Sequence, residues 1–183
     1  TFTTASSRLR ICIRRLRTLI DVTTSSTDSL RAHLLRLLEW HDAHVDFDTA
    51  IKDVPPNLRG AKPHGLLYSP WQLLEHMRIT QHDILDFCRN PAYAEMKWPN
   101  DYWPTTTVPQ NAAAWDESIA MFRRDRETLT QFFKNRSLDV FAEIPHGTGQ
   151  TYLREGLLVA DHNAYHLGQL VAVRRLLGIW ATT

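Results

Sequence analysis

Apolar residues recur every three or four positions along four stretches of the chain, which is the spacing of helices that bury one face. The first stretch runs from Asp28 to about Lys52. The second begins at Ser69, which has the place of an N-cap before the first-turn Pro70, and it continues to about Arg89. The first half of the chain therefore predicts two amphipathic helices.

The second half predicts two further helices, separated from the first two by a long loop. One helix covers about residues 112–135, and the other runs from the capping residue Thr151 to Leu177. Residues 90–110 contain four prolines and four aromatic residues without a period, and such a loop is expected to pack over a surface or mouth. Four long helices without a strand predict an all-α four-helix bundle, a fold that commonly holds metals on inward-facing side chains.

Charge divides the chain into two unlike parts. The formal charge is +1, but residues 1–27 contain five arginines and one acid, so the remainder has a charge of −3. Arginines interrupt every apolar stretch of residues 1–27, unlike a secretory signal, and we predict a basic leader outside a domain of residues 28–180. The acidic body disfavours a nucleic-acid partner, and no apolar run is long enough for a membrane span. We expect a cytoplasmic protein.

Nine histidines and only two cysteines direct the search for a metal site to imidazole ligands. His162 and His166 are four residues apart, so they lie one turn apart on the buried face of the last predicted helix. For such a pair alone, hydrogen-bonded core histidines are the more common explanation. His76 lies on or beside the inner side of the second helix, and the three imidazoles together predict a facial metal site with open positions.

A general base is not placed by any motif. The residues between His162 and His166 lack the glutamate of a His-Glu-x-x-His zinc protease. Asp83 follows His76 by seven residues and Glu155 precedes His162 by seven, so each shares a helical face with a proposed ligand. These two acids are the candidate catalytic residues. The alternatives are that they orient a ligand or are plain surface acids, and a plain surface acid is about as common as the other two roles combined.

Other histidines give weaker signals. His41 and His44 fall near the apolar side of the first helix. For His44 the options are to line the cavity, to act as a fourth ligand or, as the more common case, to be a hydrogen-bonded core histidine. We expect His82 to be exposed and His146 to lie in a loop that reaches the mouth of the site.

Three stretches of the sequence carry a family resemblance: Trp71 to Phe87 (WQLLEHMRITQHDILDF), Lys97-Trp98-Pro99, and Pro145 to Gly168 (PHGTGQTYLREGLLVADHNAYHLG). In order and spacing they resemble the DinB-like superfamily, also called the DinB/YfiT-like metalloenzymes, over roughly residues 28–180. The resemblance implies a bundle of up-down-down-up connectivity, often a homodimer, with a divalent metal held by three histidines. Matched by position, these ligands are His76, His162 and His166.

The resemblance also implies a class of reaction. Metals found in the family include zinc and nickel, and characterised relatives use thiols such as mycothiol, bacillithiol or glutathione. We therefore expect a metal-dependent enzyme that transfers a low-molecular-weight thiol to a small electrophile, with Trp98 to Trp103 forming a lid or pocket wall. Two alternatives stay open: a hydrolase that uses metal-bound hydroxide with Asp83 or Glu155 managing protons, and a non-catalytic, stress-related metal-binding or dimerisation module.

Overall fold

The computed structural model of the protein describes residues 26–39 and 43–180. This part of the chain contains five α-helices: α1 (26–39), α2 (Phe47–Ile51), α3 (Pro70–Arg89), α4 (Ala114–Lys134) and α5 (Tyr152–Leu176). No strand occurs in the described residues, where one isolated bridge joins Glu143 and Thr151. The predicted all-α class is confirmed. None of the described helices is long and apolar enough to cross a membrane.

The predicted start signals of α3 and α5 are confirmed by their hydrogen bonds. The Ser69 side chain accepts a hydrogen bond from the backbone of Gln72, and the Gln72 side chain accepts one from the backbone of Ser69, both at 3.2 Å. This reciprocal capping box satisfies two donors that the first helical turn cannot. Thr151 caps α5 by accepting from the backbone of Arg154, and Gly178 follows the helix with φ 71°.

The prediction of one continuous helix from Asp28 to about Lys52 is wrong, because residues 43–46 are not helical. Asp46 is the N-cap of α2, and its side chain accepts a hydrogen bond from the backbone of Thr49 at 2.6 Å. An aspartate in this position stabilises the start of a new helix at the expense of continuing an old one. The first predicted helix is therefore divided into α1 and α2.

Helix α3 packs against both α4 and α5. Its contacts with α5 pair His76 with His166 and Gln81 with Asn163, so residue numbers rise along one helix as they fall along the other. The two helices that carry the predicted ligands are therefore antiparallel. The complete up-down-down-up order, which also involves α1, stays a prediction.

Helices α3 and α4 run parallel to each other. Trp71 contacts Trp115 near their starts, and the Gln81 side chain donates to the carbonyl of Phe122 at 2.8 Å further along both. A parallel pair needs a connection that returns along the length of the bundle, which explains the long segment 90–113. This segment passes the contact between α3 and α5.

The core consists of two apolar clusters along the bundle, and a close helix approach shapes one of them. Leu34 of α1 and Phe133 of α4 pack in this cluster beside α5. A Cβ atom on Gly156 would lie 2.9 Å from both side chains, closer than ordinary van der Waals contact. Glycine at position 156 therefore lets α5 approach its neighbours.

We expect Gly156→Leu to lower the free energy of unfolding by about 1–3 kcal/mol, because its side chain overfills this contact. Gly168→Ala is the matched control on the same helix, since nothing lies within 4 Å of a Cβ there. It should raise stability by up to about 1 kcal/mol through helix propensity. Urea denaturation measures both, and equal stability of Gly156→Leu and wild type would contradict the close approach.

Candidate metal centre

Three imidazoles meet where α3 crosses α5. His76 on α3 is 1% exposed, and His162 and His166 come from consecutive turns of α5. The Nε2 atom of His76 lies 3.0 Å from Nε2 of His162 and 3.1 Å from Nε2 of His166. The ligand atoms of all three lie within 4.8 Å of one another. The structure thus brings together the three histidines that the sequence predicts as ligands.

Hydrogen bonds fix the proton position on two of these rings. Nδ1 of His76 donates to the backbone carbonyl of Tyr102 at 2.8 Å, and Nδ1 of His166 donates to the side-chain oxygen of Gln169 at 2.8 Å. Because both acceptors are oxygens without a proton, each Nδ1 carries the hydrogen. In a neutral ring Nε2 then carries a lone pair.

Burial keeps the three rings neutral. Burial, together with the smaller effect of neighbouring histidines, lowers the pKa of His76 to about 4 and the pKa of His162 to about 3. Burial also lowers the pKa of His166. At neutral pH the cluster therefore offers ligands rather than cations.

The donor set fits a divalent metal. Lone pairs of His76 and His166 face each other at 3.1 Å with no proton between them, and a shared cation converts this repulsion into binding. Imidazole nitrogens lie about 2.0–2.1 Å from zinc, so two nitrogens roughly 3 Å apart suit one ion. Three neutral nitrogen ligands match borderline metals such as zinc and nickel.

An aromatic stack covers one side of this cluster. Trp103 lies flat on His76, with ring centroids 3.8 Å apart and planes 6° apart, and Tyr68 stacks on Trp103 at 4.0 Å. Trp98 is 71% exposed, and its ring contacts Tyr102 rather than the ring of any of the three histidines. Of the predicted Trp98 to Trp103 wall, Trp103 is therefore the part that excludes water from His76.

The family model of the DinB superfamily matches residues 39–170. The chain belongs to the DinB superfamily. No curated protein and no solved structure matches it. The matched region of this DinB-superfamily chain contains all three histidines, and the resemblance drawn from the sequence is confirmed.

The two candidate catalytic acids of this DinB-superfamily protein form no hydrogen bond to the three histidines. Asp83 accepts one hydrogen bond from the hydroxyl of Tyr93 at 2.9 Å and another from the hydroxyl of Tyr102 at 2.8 Å. Glu155 accepts from Arg154 at 2.6 Å. Both acids line a cavity beside the metal centre, and their catalytic role stays a prediction.

Most of the remaining histidines lie away from the cluster. His44 is exposed and bonds to a neighbouring backbone carbonyl, so its predicted place in the core or cavity is wrong, because the helix is interrupted there. His41 lies outside the described residues. His82 is exposed, as predicted, and pairs with Asp125. His146 lies in a loop and its ring donates to a backbone carbonyl at the end of α3.

Sequence reasoning missed the groups that orient and cover the ligands. Gln169 had a usable signal, because it follows His166 by three residues and therefore shares its helical face. Tyr102 acts on His76 through its backbone carbonyl, which no side-chain pattern reveals. Tyr68 reaches the site only through its stack on Trp103, which depends on how two loops fold.

We expect the purified full chain to contain a divalent metal in stoichiometric amount. His162→Ala and His166→Ala should lose the metal and keep the helical circular dichroism, since the apolar clusters stabilise the fold. His82→Ala is the matched control and should keep its metal. Elemental analysis measures the content, and unfolding of both ligand variants would instead indicate a structural metal.

The metal-free protein should lose stability as the pH falls. His76 and His162 stay neutral in the folded state down to about pH 4 and 3, whereas histidines of the unfolded chain take up protons near their ordinary pKa of 6.5. The unfolded state therefore binds more protons in this window, and each histidine lowers stability by up to about 1.4 kcal/mol per pH unit. Urea titrations between about pH 7.5 and 4.5 measure the slope. His162→Ala should flatten it, and an unchanged slope would contradict the assignment.

Proposed function

We propose that the protein is a metal-dependent enzyme that transfers a low-molecular-weight thiol to a small electrophile. The observation that carries the proposal is the convergence of three neutral Nε2 atoms from His76, His162 and His166. Three protein ligands leave room for a further ligand. A divalent ion held there, such as zinc or nickel, lowers the pKa of a bound thiol and so supplies a thiolate at neutral pH.

The chain's own residues orient and shield this site. Tyr102 and Gln169 accept from the Nδ1 atoms of His76 and His166 and so hold both rings with Nε2 toward the centre. Trp103 keeps water from one face of His76. The reaction joins the thiol sulfur to an electrophilic carbon, the leaving group departs with its bonding electrons, and the thiol proton passes to water.

An apolar cavity of about 260 Å³ supports a small electrophile as the second reactant. Gln169, which holds His166, and Tyr68, which stacks on Trp103, both line it. Aliphatic side chains form most of the remaining wall: Leu66, Leu67, Leu73 and Val173. A dry wall with one amide beside the histidines suits an apolar substrate.

Hydrolysis is less well supported by the arrangement of the acids. Asp83 accepts hydrogen bonds from two phenols, and Glu155 accepts one from a guanidinium. Neither acid forms a hydrogen bond to the histidine cluster. The choice of thiol, the homodimer and the cytoplasmic location stay predictions.

Thiol transfer can be tested with protein reloaded with zinc or with nickel. Mycothiol, bacillithiol and glutathione are each combined with 1-chloro-2,4-dinitrobenzene, and thioether formation is followed by absorbance. We expect metal-dependent conjugation with at least one thiol. Gln169→Ala should lower kcat/KM by about 10–100-fold, because it frees the ring of His166, and His82→Ala should not. Conjugation with none of the thiols would contradict the proposal, and electrophile consumption without thiol would indicate hydrolysis.

A further inference from the structure

A second, polar cavity of about 550 Å³ lies beside the metal centre. Its lining includes Leu158, one turn before His162, and Tyr102, whose carbonyl holds His76. Its two buried acids lie deeper along the bundle. Glu155 precedes His162, and Asp83 follows His76, by seven residues, which is about 10 Å along a helix. None of the three histidines lines the cavity itself, which reaches from Tyr102 and Leu158, next to the metal centre, to the two buried carboxylates.

The cavity is lined by an excess of negative charge. Three carboxylates, those of Asp83, Glu95 and Glu155, face a single guanidinium, that of Arg154. This guanidinium donates a hydrogen bond to the Oε1 atom of Glu155. An anionic ligand would meet repulsion here, whereas a cation would be attracted.

Both buried acids keep acceptor positions for a ligand. Each oxygen of Asp83 accepts one hydrogen bond, from Tyr93 or Tyr102, and each has a second lone pair. Glu155 is 2% exposed, and its Oε2 atom accepts no hydrogen bond from the described residues. Because Glu155 lines the cavity, a donor that enters the cavity can reach these open acceptor positions.

Aromatic rings form another part of the wall. Phe87 packs against Tyr93 at 5.1 Å and against His146 at 5.4 Å between ring centroids, and all three line the cavity. The phenols stay protonated, because burial and the bond to Asp83 raise the pKa of Tyr102 to about 12 and also raise that of Tyr93. Neutral aromatic faces beside carboxylates attract organic cations.

We propose that this cavity binds the protonated amine of one of the two reactants, which a chain of about 10 Å joins to the reacting atom. An ammonium group donates three hydrogen bonds, matching the open acceptor positions on Asp83 and Glu155. The identity of the ligand as a reactant rests on the proposed thiol transfer. Binding of the amine itself requires neither metal nor turnover.

Binding can be measured with hexylamine, with 1-hexanol as the neutral and hexanoate as the anionic counterpart. Calorimetry or ligand-observed NMR on the full chain, with and without zinc, should give about tenfold or tighter binding of hexylamine than of 1-hexanol. Glu155→Gln and Asp83→Asn should each weaken it by about tenfold, whereas Glu127→Gln, at an exposed acid on α4, should not. Circular dichroism checks folding, and Glu155→Gln, which preserves shape, serves alone if Asp83→Asn unfolds.

The proposal is overturned if 1-hexanol binds as tightly as hexylamine. It is also overturned if the folded carboxylate variants bind hexylamine with the affinity of the wild type. If hexylamine binds as expected, inhibition of thiol transfer by hexylamine shows which reactant carries the amine. Competition with the thiol indicates an amine on the thiol, and competition with the electrophile indicates an amine on the electrophile. Inhibition against neither contradicts its place in the reaction. Amine binding by a protein that transfers no thiol leaves this site standing and contradicts only the proposed function.

Discussion

The close approach of three neutral imidazoles is the constraint on which the rest of the structure depends. Burial prevents them from relieving their repulsion by protonation, and Tyr102 and Gln169 prevent two of them from turning away. Nitrogen lone pairs 3.1 Å apart thus lie at the contact between the antiparallel helices α3 and α5. The apolar clusters on the same helices hold this contact together, so stability of the bundle supports a site that is unfavourable without a cation.

Helix direction explains how the loop residues reach the site. Because α3 and α4 are parallel, the chain must return along the bundle between them, and segment 90–113 makes this return beside the histidines. On its way it supplies the phenols of Tyr93 and Tyr102, the carbonyl of Tyr102 and the ring of Trp103. A short connection between antiparallel helices could not have supplied these groups.

The sequence predicted what depends on local pattern. Ser69 and Thr151 located α3 and α5 to within a residue, and the four-residue spacing of His162 and His166 identified one side of the metal centre. It failed at Asp46, where a capping side chain interrupts an otherwise continuous helical pattern. It placed Asp83 on the correct face but could not show which phenols bond to it, because these approach from a loop without periodicity.

The separation between the histidines and the carboxylates has an electrostatic consequence of its own. A carboxylate ligand would partly neutralise a divalent ion and weaken its effect on the pKa of a bound thiol. Asp83 and Glu155 lie seven residues, or about 10 Å, along their helices from His76 and His162, so neither acid is a metal ligand. At this distance both can still attract a cationic group of a molecule bound at the histidines. Helices α3 and α5 therefore present a neutral metal-binding layer and an acidic layer in series. In the reaction proposed above, a reactant that reached both layers would be held in one orientation, which would lower the entropic cost of bringing its reacting atom to the metal centre.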